Sequence, residues 1–103
     1  EGLELCLNVF RALAKLTLQE DARAAVNADP ANLRAMVVAL RAHRENSQLV
    51  VRAAFTLGNL TASNAANRAR IAHQLGGADL IVSLLQERSL DLRAAAAAAA
   101  AAA

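Results

Sequence analysis

The apolar positions of this chain keep a helical period almost from end to end. Leu5, Val9, Leu13 and Leu16 recur at spacings of four, four and three, which predicts a helix over 3–18 with these residues inward. Asn8, Arg11 and Lys15 fall on its other face. A short helix is predicted over about 20–28, with Ala24, Ala25 and Val26 as small packing residues. Asp29-Pro30 starts a third, over about 30–43, because Asp accepts from free backbone N–H groups and Pro fits a first turn. That helix buries Leu33, Met36, Val37 and Leu40, leaving Arg34, Arg41 and Arg44 toward water or a neighbour.

Asn46-Ser47 is the next start signal, opening a helix to about 62 with Leu49, Ala53, Leu57 and Leu60 inward. Ser63-Asn64 breaks it, and a short helix over about 66–74 carries Ile71 and Leu75. Gly76-Gly77 supplies a bend, since glycine adopts left-handed backbone angles without cost. A helix over 78–87 follows, with Leu80, Ile81, Leu84 and Leu85 as its apolar positions, and Ser89 caps a last one. No stretch alternates with period two, so strands are not expected.

The order long, short, medium therefore occurs twice, and the sequence itself repeats. Leu13-Ala14-Lys15-Leu16-Thr17 returns 44 residues later as Leu57-Gly58-Asn59-Leu60-Thr61. Met36-Val37-Val38-Ala39-Leu40 returns at the same spacing as Leu80-Ile81-Val82-Ser83-Leu84, and Arg23 and Val26 return as Arg68 and Ile71, 45 residues on. Helical units recurring at that period stack into a solenoid, whose work is to present a long surface. Glycine inside a helix costs roughly 1 kcal/mol against alanine. Gly58 is therefore expected to permit close helix packing, so that Gly58→Leu would overpack the stack.

Composition narrows the chemistry. The 103 residues suffice for one small domain, and begin at Glu1 and end in alanines 94–103, so the chain is expected to be part of a longer one. The alanine run is taken to stand for helix residues whose side chains are unidentified. With two repeats in place of about three, and apolar faces at both ends, the chain is not expected to fold alone. A net charge of +2 and two aromatic residues, Phe10 and Phe55, give no case for nucleic acid. Ten of the eleven basic residues are Arg. The single Cys6 excludes an internal disulfide framework and fits a reducing compartment. Outside the alanine run no apolar stretch is long enough to span a membrane.

Catalytic and metal readings find little support. His43 and His73 lie 30 residues apart on different helices, without a carboxylate or Cys at ligand spacing. Ser47, Ser63, Ser83 and Ser89 have no local His/Asp companion, and Gly76-Gly77 lacks the Lys-Ser/Thr of a phosphate loop. Asn59-Leu60-Thr61 fits a glycosylation pattern but falls in mid-helix. No catalytic residue, metal ligand or cofactor is expected.

Two segments resemble the armadillo repeat. Gly76-Gly77-Ala78-Asp79-Leu80-Ile81-Val82-Ser83-Leu84-Leu85 is similar to the start of that family's second helix, with Asp79 for the usual Pro. Ala53-Ala54-Phe55-Thr56-Leu57-Gly58-Asn59-Leu60 is similar to its third helix, with Phe for Trp. The resemblance implies an all-α armadillo-type solenoid, a right-handed superhelix of three-helix repeats. It implies the third helix of one repeat in 1–18, a complete repeat in 19–63, most of another in 64–93, and the alanine run in 94–103. Gln48 to Arg52, Leu57 to Ala62, Asn67 and Arg68 are similar to an armadillo family of ciliated organisms. That family is linked to building flagellar axonemes, radial spokes in particular, through intraflagellar transport.

In armadillo proteins the third helices line a groove, where an Asn can hold the backbone of an extended peptide. By that resemblance Asn59 and Phe55 are groove residues, while Arg11 and Lys15 hold the equivalent places one repeat earlier. Together with Asn8 and Arg52 they form the candidate protein-binding groove, better suited to acidic or amide-bearing partners. The alternative is that Asn59 and Arg52 are solvated or tie neighbouring helices together. The expected function is a non-catalytic scaffold or adaptor, cytoplasmic or in the cilium or flagellum (axoneme). Its expected partners are proteins, axonemal or ciliary-transport components, with no nucleic acid and no membrane insertion. Other readings are a nuclear-import-type peptide receptor, a purely structural part of a large assembly, or a regulatory domain beside a catalytic one.

Overall fold

A computed structural model describes residues 2–62 and 64–88, with Ala94, Ala97, Ala98, Ala100 and Ala101 of the tail. Its elements are α1 (Leu3–Leu16), α2 (Glu20–Asn27), α3 (Pro30–Ala42), α4 (Ser47–Thr61), α5 (Ala65–Ala69) and α6 (Gly77–Glu87). Between α5 and α6 the chain widens into one π turn, Arg70–Gln74, where the Leu75 N–H reaches back five residues to the Arg70 carbonyl. Among the described residues there is no strand, and no helix is long and apolar enough to cross a membrane. Ser63 and Ser89, expected as a breaker and a cap, lie outside the described residues.

The helix starts follow from short polar side chains. Asp29 accepts from the Ala31 N–H at 2.9 Å, Asn46 from Leu49 N–H at 3.0 Å, and Asn64 from Asn67 N–H at 2.9 Å. Each satisfies a backbone donor that the first helical turn leaves without a partner. The bend before α6 is made by Gly76, at φ +64°. Gly77 has a different reason: a Cβ there would overlap both the side chain and the carbonyl of Ile71. The close seating of α6 on the π turn depends on that missing atom.

The core is one cluster shared by the long and medium helices. Leu33, Met36, Val37 and Leu40 of α3 are buried, as their spacing predicts, and so are Leu49, Ala53, Leu57 and Leu60 of α4. One expectation, for α1, is corrected. On α1, Leu5, Val9 and Leu16 are exposed, at 68%, 46% and 54%, and the inward flank is Leu3, Cys6, Leu7, Phe10 and Leu13. On α6, Leu80 and Leu84 are buried but Ile81 and Leu85 are not. Both helices carry apolar residues over an arc wider than one neighbour can cover.

The repeat explains which side of α1 is left open. Leu5, Val9 and Leu16 correspond at 44 residues to Leu49, Ala53 and Leu60, all buried in α4. α4 has α1 packed beside it. Among the described residues α1 has no long helix on its far side, where Leu5 and Val9 border a shallow apolar cavity of about 430 Å³ with Met36.

Ala24 and Ala25, expected to pack, are exposed, and only Val26 of that trio reaches the core edge. Gly58 is also corrected. A Cβ at this position would meet nothing within 4 Å, because Gly58 lies on the exposed side of α4. Its cost is therefore conformational and brings no packing return. Gly58→Ala is expected to stabilise the chain by up to about 1 kcal/mol, read as a rise in the urea or thermal midpoint; a fall would contradict the open geometry.

Candidate protein-interaction surface

The candidate residues sit on α1 and α4, the two long helices packed side by side. Asn8, Arg11 and Lys15 are exposed on α1, and Arg52 and Phe55 on α4, with Phe55 at 61% exposure. Arg11 is the link between the helices. Its guanidinium donates to Asn8 Oδ1 at 3.2 Å on its own helix and to Gln48 Oε1 at 3.4 Å on α4. Both acceptors are neutral amides, so they orient the cation without cancelling its charge. Arg11 and Arg52 line one cavity of about 440 Å³ together with Ser47, Gln48 and Val51. Arg52 and Lys15 make no side-chain hydrogen bond or ion pair among the described residues; the ion pair found there is Arg44–Glu87.

Asn59 is placed differently from its neighbours on the motif. It is half-buried, and its Nδ2 donates to the Ala14 carbonyl at 3.3 Å and to Thr17 Oγ1 at 3.0 Å. Thr17 is fully buried and donates in turn to the Leu13 carbonyl at 2.6 Å. The amide hydrogens that would hold a peptide backbone are thus spent on joining α4 to the end of α1. Of the candidate set, Asn8, Arg11 and Arg52 gather around one cavity or its edge. Phe55 lies one turn beyond, Lys15 stands apart on α1, and Asn59 belongs to the helix joint.

Several polar contacts build the framework beneath this surface, and sequence spacing alone did not assign them. Arg23 and Arg68, already seen to recur, do the same job twice. Arg23 donates to the Thr17 carbonyl at 2.9 Å and Arg68 to the Thr61 carbonyl at 2.7 Å, each at the negative end of a long helix. Asn67 is buried and bridges Asn27 Oδ1 at 2.7 Å and the Leu60 carbonyl at 3.0 Å. Arg41 donates to the Leu75 and Gly76 carbonyls, and Arg88 to the Arg44 carbonyl and the Ser47 hydroxyl. The arginine-rich composition therefore serves mainly to tie one helical unit to the next. Arg11 and Arg52 share one cavity, as Arg34 and Arg70 share another beside Pro30 and Gln74.

Chemically, the surface offers two guanidinium groups, a hydroxyl and an amide beside an apolar ledge of Val51 and Phe55. Among the described residues no group of His, Cys, Asp and Glu is placed to hold a metal ion. The geometry suits recognition of another chain.

Comparison with known proteins agrees with the architecture. The chain is 30% identical over 83 residues to armadillo repeat-containing protein 2 of Mus musculus, a match covering 81% of this chain. It is 31% identical over 90 residues to the Homo sapiens protein of the same name, covering 86% of this chain. It spans about a tenth of the length of each relative. No family model matches the chain, and no solved structure matches it. In sequence and in helix order, the chain is an all-α segment of armadillo-type solenoid that resembles armadillo repeat-containing protein 2 over most of its length.

Proposed function

We propose that this segment is part of a non-catalytic protein-interaction scaffold, which uses the exposed side of α1 and α4 as a docking surface. The observation that carries this reading is the α1–α4 face: Arg11 and Arg52 line one cavity without a carboxylate, next to an exposed Phe55. Arginine and aromatic side chains are the types enriched where protein surfaces bind each other. The joints beneath are rigid, so a partner would meet these groups already in place and lose little entropy in ordering them. The repeat boundaries that go with the reading are 1–18, 19–63 and 64–93.

The setting we propose is the cilium or flagellum, with axonemal or ciliary-transport components as partners. Its support is the resemblance to the two relatives. Affinity capture of the full-length chain from ciliated cells is expected to recover such components; recovery of none would sink the ciliary reading. Simultaneous reversal of Arg11, Lys15 and Arg52 to Glu is expected to lower recovery at least about tenfold. Unchanged recovery would move the contacts to another face and favour a purely structural role. A receptor for basic peptides is disfavoured, because Arg11, Lys15 and Arg52 would repel such a ligand.

A further inference from the structure

Ser47 is the first residue of α4, and its side chain is exposed. Its hydroxyl accepts from the guanidinium of Arg88, at the end of α6, at 2.7 Å. It also lines the cavity that holds Arg11 and Arg52. Arg34 and Arg70 share a second cavity, but its lining of Pro30, Ala31, Gln74 and Leu75 carries no hydroxyl. Other described hydroxyls are committed or covered. Thr17, Thr56 and Thr61 donate to carbonyls one helical turn back, and Ser83 is half-buried. Among the described residues, Ser47 is thus the exposed hydroxyl that accepts from an arginine.

The surroundings favour a doubly charged anion at that oxygen. Asn46 takes up the Leu49 N–H, while the Ser47 and Gln48 N–H groups have no partner among the described residues. They form the positive end of α4. Arg11 is oriented by the neutral amides of Asn8 and Gln48, and Arg88 by Ser47 and the Arg44 carbonyl, so neither meets a carboxylate there. The Nε of Arg88 is enclosed and has no partner among the described residues. Of the acids on the adjoining segments, Glu87 pairs with Arg44 and Glu45 is exposed. A phosphate placed opposite such arginines gains charge-assisted hydrogen bonds. The approach suits the enzyme that would add it. Arg44 lies three residues before Ser47 and Arg41 six, and 43–46 is the turn between α3 and α4. A kinase that selects basic residues grips an arginine at that place with its own carboxylates.

We propose that Ser47 is a phosphorylation site for an arginine-directed protein kinase, and that Arg88, Arg11 and Arg52 hold the phosphate once it is made. The Ser47 Oγ attacks the γ-phosphorus of ATP, and the new O–P bond replaces the bond to the β-phosphate oxygen. ADP leaves, and the hydroxyl proton passes to the carboxylate base of the kinase. The product carries a charge of about −2 at neutral pH. It ties the end of α6 to the start of α4, and it neutralises cations of the docking surface. A partner held by those cations is then released; that last consequence alone rests on the scaffold reading above.

The test uses the full-length protein, ATP and a calmodulin-dependent protein kinase that selects arginine three residues before its serine. Tandem mass spectrometry locates the phosphate. Ser47 should be labelled, and Arg44→Gln should slow labelling there at least about fivefold. A turn merely loosened by that substitution would expose Ser47 and speed its labelling, so the direction separates recognition from damage. Phosphatase should then strip Ser47 at least about fivefold faster in Arg88→Gln, and also in Arg52→Gln, whose side chain is exposed so that the fold is kept. Arg34→Gln is the control and should leave both rates unchanged. No phosphate on Ser47, under conditions that label a free peptide of residues 41–52, overturns the inference. Labelling untouched by Arg44→Gln does so too, as do equal phosphatase rates in Arg88→Gln, Arg52→Gln and the unaltered protein. A protein labelled at Ser47 that recovers no cellular partner upholds the site while removing the docking reading.

Discussion

Leu49→Ala is expected to destabilise this segment of the full-length protein by about 2–5 kcal/mol, the usual cost of emptying a fully enclosed leucine site. Leu49 is wholly buried between α4 and its neighbours. Leu5 has the same place in the repeat, 44 residues earlier, yet is 68% exposed. Urea denaturation of the full-length Leu49 variant, followed through the transition of this segment, checks the expected loss, and a loss below about 1 kcal/mol would refute the enclosure of Leu49.

Gly77→Ala should have an effect of similar size for the opposite reason. The added methyl would lie 2.7 Å from the Ile71 carbonyl oxygen and overlap the Ile71 side chain. A side chain can turn aside, but a carbonyl within the π turn cannot move without unseating α6. The expected loss is about 3 kcal/mol, the upper end for overpacked sites. Combining it with Ile71→Ala should relieve only the side-chain share of the clash. Full recovery in the double variant would show that the backbone approach is not the constraint. Circular dichroism melts of the single and double variants provide the measurement.

Periodicity was a good guide where a helix has neighbours on one side. All four predicted inward positions of α3, and all four of α4, are buried. It failed on α1 because Leu3, Cys6, Leu7 and Phe10 supply a second apolar flank beside Leu5, Val9 and Leu16. A period names the possible faces of a helix; what packs beside it decides which face is used. The same limit applies to Gly58, whose residue type suggests close approach while its surroundings are open.

The placement of the candidate residues was legible in part. Arg11, Arg52 and Phe55 are exposed on the long helices, as the motif positions imply. The direction of the Asn59 amide was not legible, since it depends on Thr17 and Ala14, some 40 residues away in the chain and adjacent in space. Arg23 and Arg68 were visible as a recurrence without a role. Their targets are helix-end carbonyls, which every helix has and no side-chain pattern reveals.

The Asn59–Thr17 bond also bears on how two such helices avoid sliding past each other. Apolar faces with residues every three or four positions fit nearly as well after a shift of one turn, so leucines alone leave the alignment soft. A shifted α4 would strand the Asn59 amide, at about 1–3 kcal/mol, while Thr17 keeps its bond to the Leu13 carbonyl. Thr61 repeats the back-bonded geometry of Thr17, donating to the Leu57 carbonyl at 2.8 Å. The α1–α4 joint therefore carries a polar detent that fixes its alignment, where hydrophobic contact supplies only cohesion.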